Sequence, residues 1–219
     1  MNINKHLILL FSVLFFLFAV SVSSGCFRKN ESDVKNVVKT ELDQLKNLDS
    51  ETTQKYIPYT ELFPDATENT DLTDEINKTF SLFFRKFNYK ISDVIVGTAN
   101  HSATVSVKLT TIDSKVLARD FKAELLRTQI TESAQAQKGN IKDSSRSLEA
   151  HYLILNHLLN TNDYDTAETD CNIQLVNTGN DKKEKWKIQR TNSLEDDLVG
   201  GLIADLANPD ILSPEDTLT

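Results

Sequence analysis

The clearest pattern in the chain is a strict alternation of apolar and polar residues over positions 103–111. The alternate positions on one side carry Ala103, Val105, Val107, Leu109 and Thr111. The positions between them are polar. A period of two residues with one apolar face predicts a strand whose sheet is buried on one side only.

A row of phenylalanines precedes this strand. From residue 72 to residue 87 the apolar positions follow one helical stripe, which comprises Leu72, Ile76, Phe80, Phe83, Phe84 and Phe87. We expect this amphipathic helix to cover the apolar face of the sheet. We predict a first strand between this phenylalanine row and residue 97. Its apolar residues change from odd to even positions near residues 92–93. Either a bulge occurs there or both faces of the strand are buried.

The same periodicities predict the remaining elements. Helices are expected at 33–48, 51–57, 114–131 and 144–159, and a second hairpin should pair 166–176 with 185–191. A last helix opens at Ser193, where Asp196 completes a variant of the capping box. Gly200 and Gly201 lie inside this helix. They indicate either a tight contact with a neighbouring element or an early end of the helix.

These elements predict an α+β fold with a curved antiparallel sheet packed on N-terminal helices. Residues 114–160 form a helical insertion in this scheme, and a helix closes the fold. We expect one α+β domain over residues 33–207, followed by a flexible tail at 208–219.

The N-terminus has the features of an export signal rather than of a folded element. Lys5 and His6 precede an apolar run over residues 7–22, and small residues follow it. A basic start, a short apolar segment and small residues are typical of a signal peptide, here residues 1–25. The alternative is an uncleaved transmembrane anchor, although the run is shorter than the roughly 20 residues that a span needs.

The sequence Ser23-Ser24-Gly25-Cys26 resembles the lipobox of bacterial lipoproteins. The resemblance implies that the Cys26 thiol is lipidated and that the signal is removed before it. Ser23 departs from the aliphatic residue usual in that family, and ordinary signal cleavage near residues 21–23 remains an alternative. Two or more acyl chains, such as palmitate, anchor a protein stably. We therefore expect residues 26–32 to tether the body to the outer face of the cell membrane.

Composition narrows the classes of partner. The chain has a net charge of −8, which disfavours a nucleic-acid partner because phosphate binding needs clustered Lys and Arg. No Cys/His cluster has metal-ligand spacing, and no phosphate-binding or dinucleotide glycine motif occurs, so no metal or cofactor is predicted. Cys171 lies on the apolar side of a predicted strand, which favours a buried and inert thiol.

Several features together resemble the nuclear-transport-factor-2-like, or cystatin-like, superfamily. They are the segments 80–87, 89–91, 103–111, 185–188 and 194–201. More narrowly, the pattern is similar to uncharacterised lipoproteins of Gram-positive bacteria. The resemblance implies a cone-shaped sheet that can hold a small molecule, and it leaves Tyr89, Asp93 and Trp186 as the polar candidates for such a pocket.

Other clusters have structural explanations. His151 and His157 are six residues apart, so they do not share a helical face as a metal-binding pair would. Residues 160–165 lack the glycine and closing glutamate of a calcium loop. The sequence thus predicts a non-catalytic cell-envelope lipoprotein that binds an unidentified ligand or protein outside the cell. The alternative is a small-molecule enzyme of the ketosteroid-isomerase type with a pocket inside the curved sheet.

Overall fold

The structure is a computed structural model, which describes residues 30–57, 62–63, 66, 72–97, 101–136, 147–179 and 184–212. Helix α1 occupies residues 30–46. The helices that follow are α2 (Ser50–Tyr56), α3 (Thr73–Phe83), α4 (Ser114–Ala136), α5 (Leu148–Thr161), α6 (Asn192–Leu198) and α7 (Leu202–Ala207). Short 3₁₀ turns at Phe84–Lys86 and Pro209–Leu212 extend α3 and follow α7.

Four antiparallel strands form one sheet in the order β1-β2-β3-β4. They are β1 (Asn88–Val96), β2 (Ser102–Ile112), β3 (Thr166–Asn177) and β4 (Trp186–Ile188). The second hairpin has a fixed register in which Leu175 is opposite Ile188 and Asn177 is opposite Trp186. The predicted α+β class, with helices before, between and after the strands, is therefore confirmed.

The chain separates into two compact units, which are described individually. The first comprises Met1–Lys39, Asp93–Val105 and Ile173–Gln189, and the second comprises Thr40–Ser92, Ser106–Asn172 and Arg190–Thr219. In the first unit, β3 pairs with β4, and Thr104 donates a 2.9 Å hydrogen bond to Gln174. The second unit holds α2 to α7 complete.

The phenylalanine row is buried, as predicted. Phe80, Phe83, Phe84 and Phe87 are each at most 5% exposed. One neighbour of this row was not predicted from the sequence: α3 lies along α5, where Phe80 and Tyr152 meet at a ring-centroid distance of 6.4 Å. The helices inserted between the strands therefore contribute to the core of their unit.

Strand β2 buries the predicted face. Ala103, Val105, Val107, Leu109 and Thr111 are all at most 2% exposed. In β1 the half-buried positions change parity after two successive exposed residues, Ser92 and Asp93. This is the place where the sequence predicts the change of phase.

The C-terminal helix is interrupted at the two glycines. Gly200 and Gly201 have φ values of 66° and 89°, which are left-handed and separate α6 from α7. A Cβ atom on Gly200 would lie 2.2 Å from Thr111 Oγ1. Both explanations offered by the sequence therefore hold, since the helix ends here and the backbone also approaches a neighbouring strand closely.

The predicted cap of this helix was wrong. The N-cap of α6 is Thr191, whose hydroxyl accepts a hydrogen bond from Leu194 N at 3.1 Å. Asp196 instead accepts from Ile203 N and Ala204 N, so it caps α7. A carboxylate six residues before the second helix can reach it only because the glycine turn folds the chain back.

Three boundaries differ from the predicted ones. Residues 30–32, assigned to the tether, are helical, and Asn30 is buried. Helix α4 runs on to Ala136, because the polar residues after 131 are mostly good helix formers. Ile211, in the predicted tail, is 8% exposed, since the 3₁₀ turn at Pro209–Leu212 returns it to the protein.

Candidate binding groove

A groove of about 360 Å³ lies between α3 and α5, within the second unit. Its lining residues are mostly polar and comprise Asp74, Glu75, Lys78, Leu153, Asn156, His157 and Asn160. Three of these residues come from α3 and four from α5, and steps of three and four relate them within each helix. Each helix therefore forms one wall of the groove with one stripe of its surface. The volume falls within the range of about 300–1,000 Å³ found for small-molecule sites.

One hydrogen bond joins the two helices at the groove, and two more lie within the helices beside it. Asn156 is 5% exposed, and its Nδ2 donates to the carbonyl oxygen of Glu75 at 3.3 Å. The Thr79 hydroxyl donates to the same carbonyl at 2.8 Å. At the rim, Asn160 Nδ2 donates to Asn156 O at 3.0 Å. Because a buried amide without partners is costly, these bonds favour one fixed arrangement of the walls.

The charged side chains of the groove are not neutralised by the protein. In the part of the chain that the structure describes, no ion pair within 4.0 Å involves Asp74, Glu75 or Lys78, and no side-chain hydrogen bond involves their charged groups or the His157 imidazole. Asp74 and Lys78 are four residues apart on one helix, a spacing at which such residues commonly pair. The groove therefore presents carboxylate and ammonium groups that are free to meet a ligand.

The three residues predicted to line a pocket lie on two strands of the sheet. Tyr89 and Asp93 lie on β1 and Trp186 lies on β4, and these strands are the two edges of the sheet. Tyr89 is half-buried and donates a 2.5 Å hydrogen bond to Asp43 Oδ1. Burial, reinforced by that carboxylate, raises the pKa of the Tyr89 phenol. The Tyr89 hydroxyl thus joins β1 to α1 and is a weaker acid than a free tyrosine.

The other two residues also have local roles. Asp93 is exposed, and its carboxylate accepts from the backbone N of Val94 at 2.9 Å. Trp186 is 7% exposed, and its indole N–H donates to Glu184 at 3.3 Å. An aromatic residue buried with its one donor satisfied serves the core.

Two further clusters of titratable groups are satisfied within the protein. Cys171 is 2% exposed, and burial, together with its hydrogen bond to Asp197, raises the pKa of the thiol to about 12. This is the inert thiol that the sequence predicts. The buried Glu195 carboxylate accepts from Arg190 Nε at 2.9 Å and from Arg190 Nη2 at 2.6 Å. Such a pair positions α6 rather than a substrate.

The remaining sequence features concern the N-terminus, metal ligands and membrane-spanning helices. Cys26 and the predicted signal at 1–25 are outside the described ranges. Between residues 30 and 212, as far as the structure describes them, no three His, Cys, Asp or Glu residues are grouped as metal ligands. No helix in those ranges combines the length and apolarity needed to cross a membrane.

The groove itself was not predicted. Asp74 and Glu75 lie in the first turn of α3, where carboxylates offset the helix dipole, and His157 was considered only with His151. The stripe of Leu153, Asn156 and Asn160 on α5 is the available signal, because an asparagine among leucines on a helix indicates a polar contact. The sequence does not show that α3 faces α5, and the groove exists only between these two helices.

Comparison with known proteins adds no relative: no family model, curated protein or solved structure matches the chain significantly.

Proposed function

We propose that this protein is an extracytoplasmic binding protein, anchored to the cell membrane by lipid at Cys26, and that the groove between α3 and α5 is its binding site. The observation that carries the proposal is the set of charged side chains without partners around a cavity of about 360 Å³. A concave site on which a few polar groups converge is the usual form of a small-molecule binding site.

The lipid anchor rests on the sequence Ser23-Ser24-Gly25-Cys26 and the apolar run before it. The net charge of −8 disfavours direct adhesion to anionic lipid, so attachment to the membrane would depend on this covalent anchor. The order of helices, hairpin, inserted helices and second hairpin supports the similarity to the nuclear-transport-factor-2-like superfamily.

We favour binding over the enzymatic alternative for a chemical reason. A ketosteroid-isomerase type of mechanism needs an acid or base within reach of a substrate proton. The Tyr89 hydroxyl already donates its hydrogen bond to Asp43, and the alternate residues of β2 from Ala103 to Thr111 are buried by the protein itself. The groove, by contrast, is open, and its charged side chains have no ion-pair partner among the described residues.

Fractionation of cells that produce the full-length chain tests the anchor. The Cys26→Ala variant has no thiol to acylate, so we expect it to move from the membrane fraction to the soluble extracytoplasmic fraction or the medium. Cys171→Ala is the matched control, because its thiol is buried and unrelated to anchoring. Equal membrane retention of wild type and Cys26→Ala would refute lipid tethering.

A further inference from the structure

The charge distribution of the groove between α3 and α5 defines the class of ligand that fits it, and this inference rests on the binding function proposed above. Two carboxylates, those of Asp74 and Glu75, are in successive positions of α3. One ammonium group, that of Lys78, lies one turn further along the same helix. The lining thus has an excess of negative charge, with a single positive group at one end.

Position at the start of a helix does not by itself explain this arrangement. Glu51 in α2 and Glu149 in α5 are also acidic residues in a first turn, and they offset the helix dipole without lining the groove. What distinguishes Asp74 and Glu75 is the cavity beside them, the unpaired Lys78 and the buried Asn156 that fixes the facing helix.

The same features disfavour other ligand classes. An anion would meet two carboxylates within a protein of net charge −8. A purely apolar molecule would bury charged groups without partners, which is costly. A calcium ion takes six to eight oxygen ligands, and the residues that the structure describes offer no such cluster here.

We propose that the groove binds a small organic cation or zwitterion, with its ammonium or guanidinium group on Asp74 and Glu75. In a zwitterion, the carboxylate of the ligand pairs with Lys78. The Asn160 amide and the His157 imidazole supply hydrogen bonds to the polar remainder of the ligand, and Leu153 covers its alkyl part. Charge-assisted hydrogen bonds of this kind are about twice as strong as neutral ones.

Ligand-observed saturation-transfer NMR on the detergent-solubilised full-length protein tests this inference. The probes are agmatine, which is cationic, arginine, which adds a carboxylate, and succinate, which is anionic. We expect agmatine and arginine to bind and succinate not to bind. The Asp74→Asn/Glu75→Gln variant should bind both cationic probes about tenfold more weakly, since each loses charge-assisted hydrogen bonds.

Two comparisons make the result specific to the groove. The control variant Glu51→Gln/Glu149→Gln has the same net charge as the groove variant and also loses two first-turn acids, so it should bind like the wild type. Lys78→Gln should weaken arginine more than agmatine, because only arginine has a carboxylate for that lysine. Equal weakening in both double variants would overturn the inference, since the effect would then belong to overall charge.

Failure of this inference is distinguishable from failure of the proposed function. If succinate binds and Lys78→Gln weakens it, the groove is a site but the ligand class is wrong. If none of the probes binds, the cation inference is overturned. The anchor and the outward orientation are unaffected by either result, because fractionation of Cys26→Ala tests them separately.

Discussion

Leu48 has a backbone conformation that leucine rarely adopts. It follows α1 with a φ value of 63°, and its side chain is 43% exposed. Leu48 N donates to Leu45 O at 3.0 Å and Asp49 N donates to Gln44 O at 2.9 Å, which is the hydrogen-bond pattern of a Schellman helix end. The sequence predicted a helix through residue 48, and that end was wrong, because the helix stops at residue 46.

Replacing Leu48 with glycine should therefore stabilise the protein. Glycine adopts positive φ without the Cβ clash that costs other residues roughly 1–2 kcal/mol. After allowance for the greater chain entropy of unfolded glycine and the lost partial burial, we expect a gain of about 0.5–1 kcal/mol in the free energy of unfolding. Denaturant titration measures it, with Leu48→Ala as the control. A Leu48→Gly variant no more stable than Leu48→Ala would contradict this interpretation.

His151 is a second residue whose environment leads to a prediction. Its ring lies 4.9 Å from that of Phe63 and 5.7 Å from that of Phe121. Burial lowers the pKa of His151, partly offset by its hydrogen bond to the Ser147 carbonyl. The unfolded chain, in which this pKa is about 6.5, therefore binds a proton more readily than the folded one.

Stability should consequently fall as the pH decreases through about 6.5, because the unfolded state gains the proton first. The His151→Gln variant should lose this part of the pH dependence between pH 7.5 and 5.5. Free energies of unfolding at several pH values, compared with those of the exposed His101→Gln control, measure the difference. A wild-type profile that His151→Gln leaves unchanged would show that the buried imidazole does not carry the effect.

At the scale of the elements, the junction of α6 and α7 lies against the end of β2. The Thr111 hydroxyl is buried and, among the described residues, has no hydrogen-bond partner. Ser114 anchors the junction, because its hydroxyl lies 2.6 Å from both Gly200 O and Asp205 Oδ2. A side chain at Gly200 has no room here.

A double-mutant cycle tests this contact. Gly200→Ala should destabilise the protein by about 3 kcal/mol or more, from left-handed strain and overpacking against Thr111. Combined with Thr111→Ala it should cost markedly less, because the clashing hydroxyl is gone, so the two effects should couple by more than about 0.5 kcal/mol. Additive effects would mean that the glycine is needed for its φ angle alone.

Local sequence predicted elements better than it predicted their contacts. The alternation over β2 and the stripe of α3 depend on side chains a few residues apart, so period alone identified them. The partnership of α3 with α5 depends on residues about 80 positions apart in the chain, and no local pattern encodes it. Asp196 is a similar case, since its role as the cap of α7 depends on a turn that only the glycines permit.

The candidate site shows the same limit. Each wall of the groove was visible as an amphipathic helix, but a binding site requires knowledge of which helices face each other. Tyr89, Asp93 and Trp186 were chosen as polar residues on strands, and the structure gives each a nearby hydrogen-bond partner instead. A polar side chain on a strand is therefore a poor indicator of a pocket, because a neighbour in sequence can satisfy it, as for Asp93 and Trp186, or another element can, as for Tyr89.

At the scale of the whole molecule, we propose a folded body held at the membrane outside the cell. The predicted signal and the proposed lipidation site at Cys26 lie in the first 26 residues, whereas the groove belongs to the folded body. The central claim is that this body, with its groove, faces the extracellular side of the membrane.

Cysteine labelling on intact cells tests that claim most directly. Leu153 lines the groove and is 51% exposed, so Leu153→Cys in the full-length chain offers a reactive thiol. Cys171 is buried with a raised pKa and stays silent, and wild-type cells report any unacylated Cys26. We predict that a membrane-impermeant maleimide labels Leu153→Cys equally on intact and lysed cells, with little labelling of the wild type. Labelling of Leu153→Cys only after lysis would contradict the account.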